Sequence, residues 1–274
     1  MLCTPVPPGQ SSCHAFRTTR VLYHDLPHTQ SPEDDRKVGI IGAGNVGSAF
    51  ARRVSAAGHD VLIASRDMQE AEQVAKSTGA KVRAVPQEQL GGATDVLIAA
   101  TPYSQQAETL QESGNLDGQV VIDISNPMTE EMSLAVGLTT SAAEEVASTI
   151  PGAKVVKAFN TVFAQVLGQL PDKHGARVQV FYAGDDESAK SSVRSLVESM
   201  GFEAVDAGPV RNARLLEPMG ALNIYLGHVA GRGTDIAFAT RRVTESEPYA
   251  DRAAQQPKPR PHAGGDEATQ TARP

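Results

Sequence analysis

The stretch Val38-Gly39-Ile40-Ile41-Gly42-Ala43-Gly44-Asn45-Val46-Gly47 decides how the rest of the chain is read. A short Val/Ile run is a strand buried on both faces. The glycines that follow have three separate tasks. Gly42 permits a sharp turn, Gly44 lets a diphosphate approach the main chain, and Gly47 lets the next helix pack close to the strand. Residues 45–58, with Val46, Phe50 and Val54 at helical spacing, supply that helix. Its unpaired first-turn amides suit an anion. A glycine pattern alone is common. Placed after a strand, before a helix and ahead of a second strand at Val61-Leu62-Ile63-Ala64, it is specific. Gly42, Ala43, Gly44, Asn45, Val46 and Gly47 therefore form the candidate cradle for a dinucleotide.

Working outward, apolar runs alternate with helical stretches. Val82-Arg83-Ala84-Val85, Asp95 to Ala100, Val120 to Ile124 and Lys154 to Ala158 read as further strands. This alternation predicts an α/β fold, a Rossmann-type doubly wound parallel sheet covered by helices and joined by right-handed crossovers. After about residue 160 the texture changes. Residues 178–183 read as a strand and 187–200 as a helix, with Ala189, Val193, Leu196, Val197 and Met200 on one face. A short strand at 202–205 and a helix-rich segment over 211–229 follow. Residues 36–158 are expected to be the nucleotide domain, and 159–242 a small C-terminal α/β lobe. The Pro/Ser/His-rich head (1–35) and the polar tail (243–274) are expected to be disordered.

The bulk composition excludes several classes. The chain has 274 residues, a net charge of -7 and no Trp. With aromatics at 4%, a base-stacking platform is not expected, and no basic patch invites nucleic acid. No apolar run is long enough for a membrane span, and no secretion signal is visible, so the expected location is cytoplasmic. Cys3 and Cys13, both in the head, suggest no disulfide framework, and no residue set has metal-ligand spacing.

The second strand ends Ile63-Ala64-Ser65-Arg66, with no carboxylate at its tip to take the ribose hydroxyls of NAD. Ser65 and Arg66 suit the 2′-phosphate of NADP instead, and Asp67 suits a helix cap. Ligands of such sheets lie beyond the carboxyl ends of the strands. Thr101-Pro102-Tyr103, Ser125-Asn126-Pro127 and Phe159-Asn160-Thr161 fall there. They offer a mostly neutral surface for a nicotinamide and a second flat reactant. His59, before the second strand, is on the wrong side for catalysis, His174 in a polar loop and His228 in the helical lobe read as structural or solvated, and Lys157 is either a base or a neutralising charge. Gly184-Asp185-Asp186-Glu187 reads as a helix cap. Hydride transfer between two rings fits this poverty of acids and bases, because the cofactor and its partner carry the chemistry.

Taken together, the glycine loop, Ala64-Ser65-Arg66-Asp67, Ile122 to Pro127, Val156 to Thr161, Ala183 to Asp186, Gly208 to Arg214 with Glu217-Pro218, and Gly231 to Phe238 resemble the NADPH-dependent reductases of coenzyme F-420, a deazaflavin. The same signatures recur in the cytosolic reductase domains of membrane metalloreductases. The resemblance spans about 37–240. It implies NADPH gripped by Ser65 and Arg66. It further implies a small-molecule electron acceptor, coenzyme F-420 or a flavin, stacked near Asn126, Pro127, Phe159, Asn160 and Thr161. No side-chain nucleophile takes part, and the protein is expected to be a homodimer. The helix after the Ser-Arg pair reads Met68-Gln69-Glu70 where relatives often carry a basic residue, which implies a softer preference for NADP. Arg211 and Arg214 either contact a ligand phosphate or the acceptor's charged tail, or form an ion pair with a residue such as Glu217. An imine or pyrroline-carboxylate reductase and a non-catalytic NADPH sensor are the alternative readings.

Overall fold

The computed structural model describes residues 35–169 and 177–241. The expectations for the tail, for the head up to residue 34 with Cys3 and Cys13, and for His174 lie outside those residues. Eight strands form one sheet in the order β3-β2-β1-β4-β5-β6-β7-β8. These are β1 (Lys37–Ile41), β2 (Asp60–Ala64), β3 (Val82–Ala84), β4 (Val96–Ala99), β5 (Val120–Asp123), β6 (Lys154–Ala158), β7 (Gln179–Gly184) and β8 (Glu203–Asp206). The first six are parallel. β1 is central, pairing Ile40 with Ile63 of β2 on one side and with Ile98 of β4 on the other. The direction of travel across the sheet reverses between β1 and β4, which opens a crevice at their carboxyl ends.

Side chains alternate across the sheet, so neighbouring residues feed opposite layers. Val38 and Ile40 join Phe50 and Val54 of α1 (Asn45–Ala56) in one core. Ile41 and Leu97 join Leu110 of α3 (Tyr103–Gln111) and Val146 of α4 (Ala142–Thr149) in the other. Both faces are therefore covered, as the unbroken Val/Ile runs require. α2 (Met68–Thr78) precedes β3, and α5 (Ala164–Gly168) follows β6.

The later segment is built differently from a lobe standing apart. β7 pairs antiparallel with β6, Lys157 opposite Ala183, and β8 runs parallel to β7. Strands from 178 onward thus extend the same sheet, and the boundary expected at residue 158 runs between hydrogen-bonded strands. Between β7 and β8 lies α6 (Glu187–Ser199), capped by Asp186, which accepts from the Ala189 amide at 2.8 Å. The capping role read for the acidic cluster is the one found. A 3-10 turn at Val210–Asn212, helix α7 (Ala213–Ile224) and a π-helical turn at Tyr225–Val229 complete the described order. Among the described residues no helix is long and apolar enough to cross a membrane.

Candidate active site

The glycine turn has the geometry its sequence requires. Gly42 has φ of 105°, and a Cβ there would lie 2.5 Å from the Ala100 carbonyl oxygen. Only glycine fits a turn pressed so closely on the neighbouring strand. A Cβ on Gly47 would lie 1.8 Å from the Gly42 carbonyl oxygen, so this residue lets α1 seat on the turn. A Cβ on Gly44 would meet nothing within 4 Å. The three glycines therefore divide into two that serve the fold and one that faces open space. Gly44 caps α1 with no side chain bonded to the first amides, and no acidic residue sits in the first turn. The helix start is left to an outside anion, which is the fit a diphosphate needs.

At the tip of β2, Ser65 and Arg66 line a cleft of about 510 Å³ with Met68, Pro86, Gln87 and Glu88. Arg66 is exposed and makes no ion pair among the described residues. Asp67 caps α2 by accepting from the Gln69 amide at 2.9 Å. The Ser65 hydroxyl donates to Glu70 at 3.2 Å, so a carboxylate stands beside the candidate phosphate site.

The tips of β4, β5 and β6 lie side by side. Thr101 Oγ1, Ser125 Oγ and Asn160 Oδ1, one oxygen from each tip, are buried without a partner in the protein. Buried polar atoms are nearly always paired, so three orphans on adjacent tips mark a place that something else completes. Pro102 caps α3 without a side-chain bond. Asn126 and Asn160 are tied together: Asn126 Nδ2 donates to the Asn160 carbonyl at 2.7 Å, and Asn160 Nδ2 donates to Asn126 Oδ1 at 3.0 Å. Phe159 holds φ of 61° although it is not glycine, a strained state. Edge-on contacts with Phe50 at 5.1 Å and Phe202 at 5.9 Å lock its ring in the core.

Beneath these tips lies a fully buried charge cluster. Lys157 Nζ sits 2.8 Å from Asp123 Oδ2 and 2.8 Å from Glu217 Oε1, and donates to the Ser125 carbonyl at 2.6 Å. Asp123 also accepts from Gln106 Nε2 and from the Ser125 amide, each at 2.8 Å. Burial alone would raise the Asp123 carboxyl, but Lys157 and these donors hold it below its ordinary value. Burial pushes Glu217 up, against the pull of Lys157. Glu217 also accepts from the Ala142 and Ala143 amides at the start of α4, at 3.0 and 3.2 Å. Lys157 is therefore a neutralising and bracing group, the second of the two roles open to it from sequence. Tyr103 donates to Glu145 at 2.6 Å, and burial followed by that bond raises its hydroxyl to about 12.

Sequence reasoning misplaced one ion pair. Arg214 binds Glu144 in a two-pronged contact, Nε to Oε2 at 2.8 Å and Nη2 to Oε1 at 2.6 Å, while Glu217 turns inward to Lys157. Helix phase explains this: Glu217 lies on the buried face of α7 and Arg214 at its margin. Arg211 stands exposed in the 3-10 turn, with no ion pair among the described residues. His59 bridges the Arg36 amide and Ser199 Oγ, far from the strand tips, and His228 meets Phe163 edge-on at 5.6 Å. Gly220 and Asn223 of α7 were not anticipated, yet both touch the tips.

An open glycine turn and an uncapped helix start at the switch point of a doubly wound sheet, with orphaned polar atoms on the neighbouring strand tips, are the features of a dinucleotide-dependent oxidoreductase. Residues 37–127 match the family described as NADP oxidoreductase, coenzyme F420-dependent. Over those residues, about a third of its length, the chain is similar to that family, and it is an NADP-dependent oxidoreductase. It is similar to the F420-dependent NADP reductase of Methanothermobacter marburgensis, 28% identical over 210 residues, which are 69% of this chain and 92% of that protein. Against Metalloreductase STEAP3 of Rattus norvegicus it is 30% identical over 198 residues, 72% of this chain, and it spans only 39% of that protein's length. Among solved structures, a protein assigned as an F420-dependent NADP-reductase, from Arthrobacter sp. FB24, matches with a TM-score of 0.69 at 27% identity, covering 76% of this chain and 100% of that one.

Proposed function

We propose that the protein passes a hydride between NADPH and a deazaflavin of the coenzyme F-420 type, or a flavin-like ring in its place. The observation that carries this reading is the state of the ionisable groups around the strand tips. Lys157, Asp123 and Glu217 are fully buried and bonded to one another, and Tyr103 is bonded to Glu145 with its proton held tightly. Substrates that need a positioned base are poorly served by such a site. Two rings held face to face need only distance and angle, and the nicotinamide supplies the hydride. The names of the Methanothermobacter relatives, matched over nearly their whole length, support the same acceptor class.

In this reading Gly42 to Gly47 hold the diphosphate, Ser65 and Arg66 the 2′-phosphate, and Thr101, Pro102, Ser125, Asn126, Pro127, Asn160 and Thr161 the nicotinamide and acceptor, while Phe159, expected from sequence among them, keeps its ring in the core and offers only main chain. Arg211 is assigned to the acceptor's anionic end. The protein works in the cytoplasm as a homodimer. Exposed Leu215, Leu222, Tyr225 and Val229 along α7 and the π-helical turn support pairing with a second copy. The test is an anaerobic screen of F-420, FMN, FAD and quinones with NADPH and with NADH, following loss of the reduced nicotinamide. F-420 with NADPH is expected to react fastest. Nucleotide binding without turnover on any acceptor would instead identify a sensor.

A further inference from the structure

Helix α7 meets the strand tips through one face, Leu216, Glu217, Gly220 and Asn223, spaced as successive turns of a helix. Asn160 Nδ2 donates to the Leu216 carbonyl at 2.7 Å, and Asn223 Nδ2 donates to the Thr161 carbonyl at 2.9 Å. At Gly220 the approach is closest. A Cβ there would lie 2.1 Å from Asn126 Oδ1, 2.7 Å from its Cγ and 2.8 Å from its Nδ2. All three nearest atoms belong to one side-chain amide. That amide cannot step aside freely, because both of its ends are bonded to Asn160.

We propose that Gly220 is a positioning residue for the nicotinamide end of the nucleotide, acting through Asn126 on Asn160. Gly220 lets α7 press Asn126 against Asn160. Both hydrogens of the Asn160 amide are then engaged, by Asn126 Oδ1 and the Leu216 carbonyl, and its orientation is set. The carboxamide oxygen of Asn160 is left over, buried and without a protein partner, beside the equally orphaned Ser125 hydroxyl. A clasp built only to glue a helix to a sheet would satisfy its acceptors as well as its donors. This one leaves two acceptors on neighbouring tips, poised for an N–H donor such as a primary amide once the tips adjust around it. The inference rests on the nucleotide reading above and extends it to a helix outside residues 37–127.

The test compares a whole ligand with its adenosine half. Calorimetry on the full chain measures NADP+ and 2′,5′-ADP against the parent, Gly220→Ala, Asn126→Ala and the double variant. Gly220→Ala is expected to weaken NADP+ by about tenfold, the scale of one lost buried hydrogen bond, and to leave 2′,5′-ADP within about twofold. In the Asn126→Ala background, adding Gly220→Ala should cost nothing further, because the collision has lost its target. If Gly220→Ala fails to fold, the double variant should restore folding. Equal loss of both ligands, no loss of either, independent addition of the two losses, or a double variant that stays unfolded would each overturn the proposal. A parent chain that binds neither ligand defeats the nucleotide reading itself. A parent that binds both, with an insensitive Gly220, defeats only this inference.

Discussion

Exchanging Gly44 and Gly47 for alanine, one at a time, separates what the glycine turn does for folding from what it does for a ligand. Gly47 lies inside α1, where alanine is intrinsically the better helix former by about 1 kcal/mol. Against that gain stands a methyl group 1.8 Å from the Gly42 carbonyl oxygen and 2.8 Å from its carbon. Overpacking costs about 1–3 kcal/mol where side chains can yield. Here the obstacle is main chain on the central strand's own turn, so the cost falls at the upper end or beyond. Gly47→Ala should lose about 2 kcal/mol net, or about 4–8 °C in melting temperature for a chain of this size. Gly44 has φ of -67° and ψ of -168°, which alanine adopts without strain, and its Cβ would enter open space. Losing glycine at the cap costs up to about 1 kcal/mol, so Gly44→Ala should melt within about 3 °C of the parent.

The ligand effects run the other way. A methyl at Gly44 stands where a diphosphate would approach the helix amides, each such bond being worth about 1.5–3 kcal/mol. Gly44→Ala should therefore weaken NADP+ by about ten- to a hundredfold while remaining folded. The assay is differential scanning fluorimetry with and without NADP+, checked by calorimetry. A Gly44→Ala protein that binds like the parent would show that no phosphate passes there. A Gly47→Ala protein that melts like the parent would show that α1 is not held against the turn.

Arg66→Ala should weaken NADPH far more than NADH, and equal losses would refute its role at the 2′-phosphate. Glu70→Gln should act in the opposite sense. Releasing Ser65 and removing a like charge should tighten 2′,5′-ADP by about threefold at low salt, an advantage that should fade as salt is raised. Lys157→Met leaves Asp123 and Glu217 buried together without a cation and should cost about 3–5 kcal/mol by denaturant titration. Glu217→Gln, which keeps an oxygen for the α4 amides, should cost much less, and the reverse order would refute the bracing role. Asp186 is lowered from 3.8 to about 2, by the Ser188 hydroxyl first, then the Ala189 amide and Lys154. Its stabilising effect is present above its ordinary range and lost as pH falls toward the folded value. The melting difference between the parent and Asp186→Ala should thus hold at neutral pH and shrink between about pH 4 and 2.

Much of the fold was readable because local and tertiary demands coincide in its first half. The strands at Lys37–Ile41, Asp60–Ala64, Val96–Ala99 and Val120–Asp123 are buried on nearly every residue, so each appears as an apolar run. The antiparallel turn of β7 onto β6 was not readable. Strand direction in a fully buried strand leaves no trace in periodicity, and Gln179–Gly184 is as buried as its parallel neighbours. The short helix α4 had a signal that went unused. Ser141-Ala142-Ala143-Glu144 is a capping box, with Ser141 accepting from the Glu144 amide at 3.2 Å and donating to its carboxylate at 2.7 Å.

The candidate site divides along the same line. Residues that act through their own main chain, such as the glycines of the turn, announce themselves by type and spacing. Residues that act through a distant partner do not. The working face of α7 reads Leu216, Glu217, Gly220 and Asn223, with no apolar stripe to mark it as buried. That face is polar because it packs on the frayed ends of strands, where carbonyls and amides need partners, rather than on an apolar sheet surface. A buried acid at 217 looks like an error on a helical wheel until the Lys157 ammonium and the α4 amides are placed around it. Polar residues on the inward phase of a helix that follows a run of parallel strands thus point to the strand ends as their target. Those ends are also where such a sheet receives its ligand. The features least legible as fold are for that reason the ones closest to the chemistry.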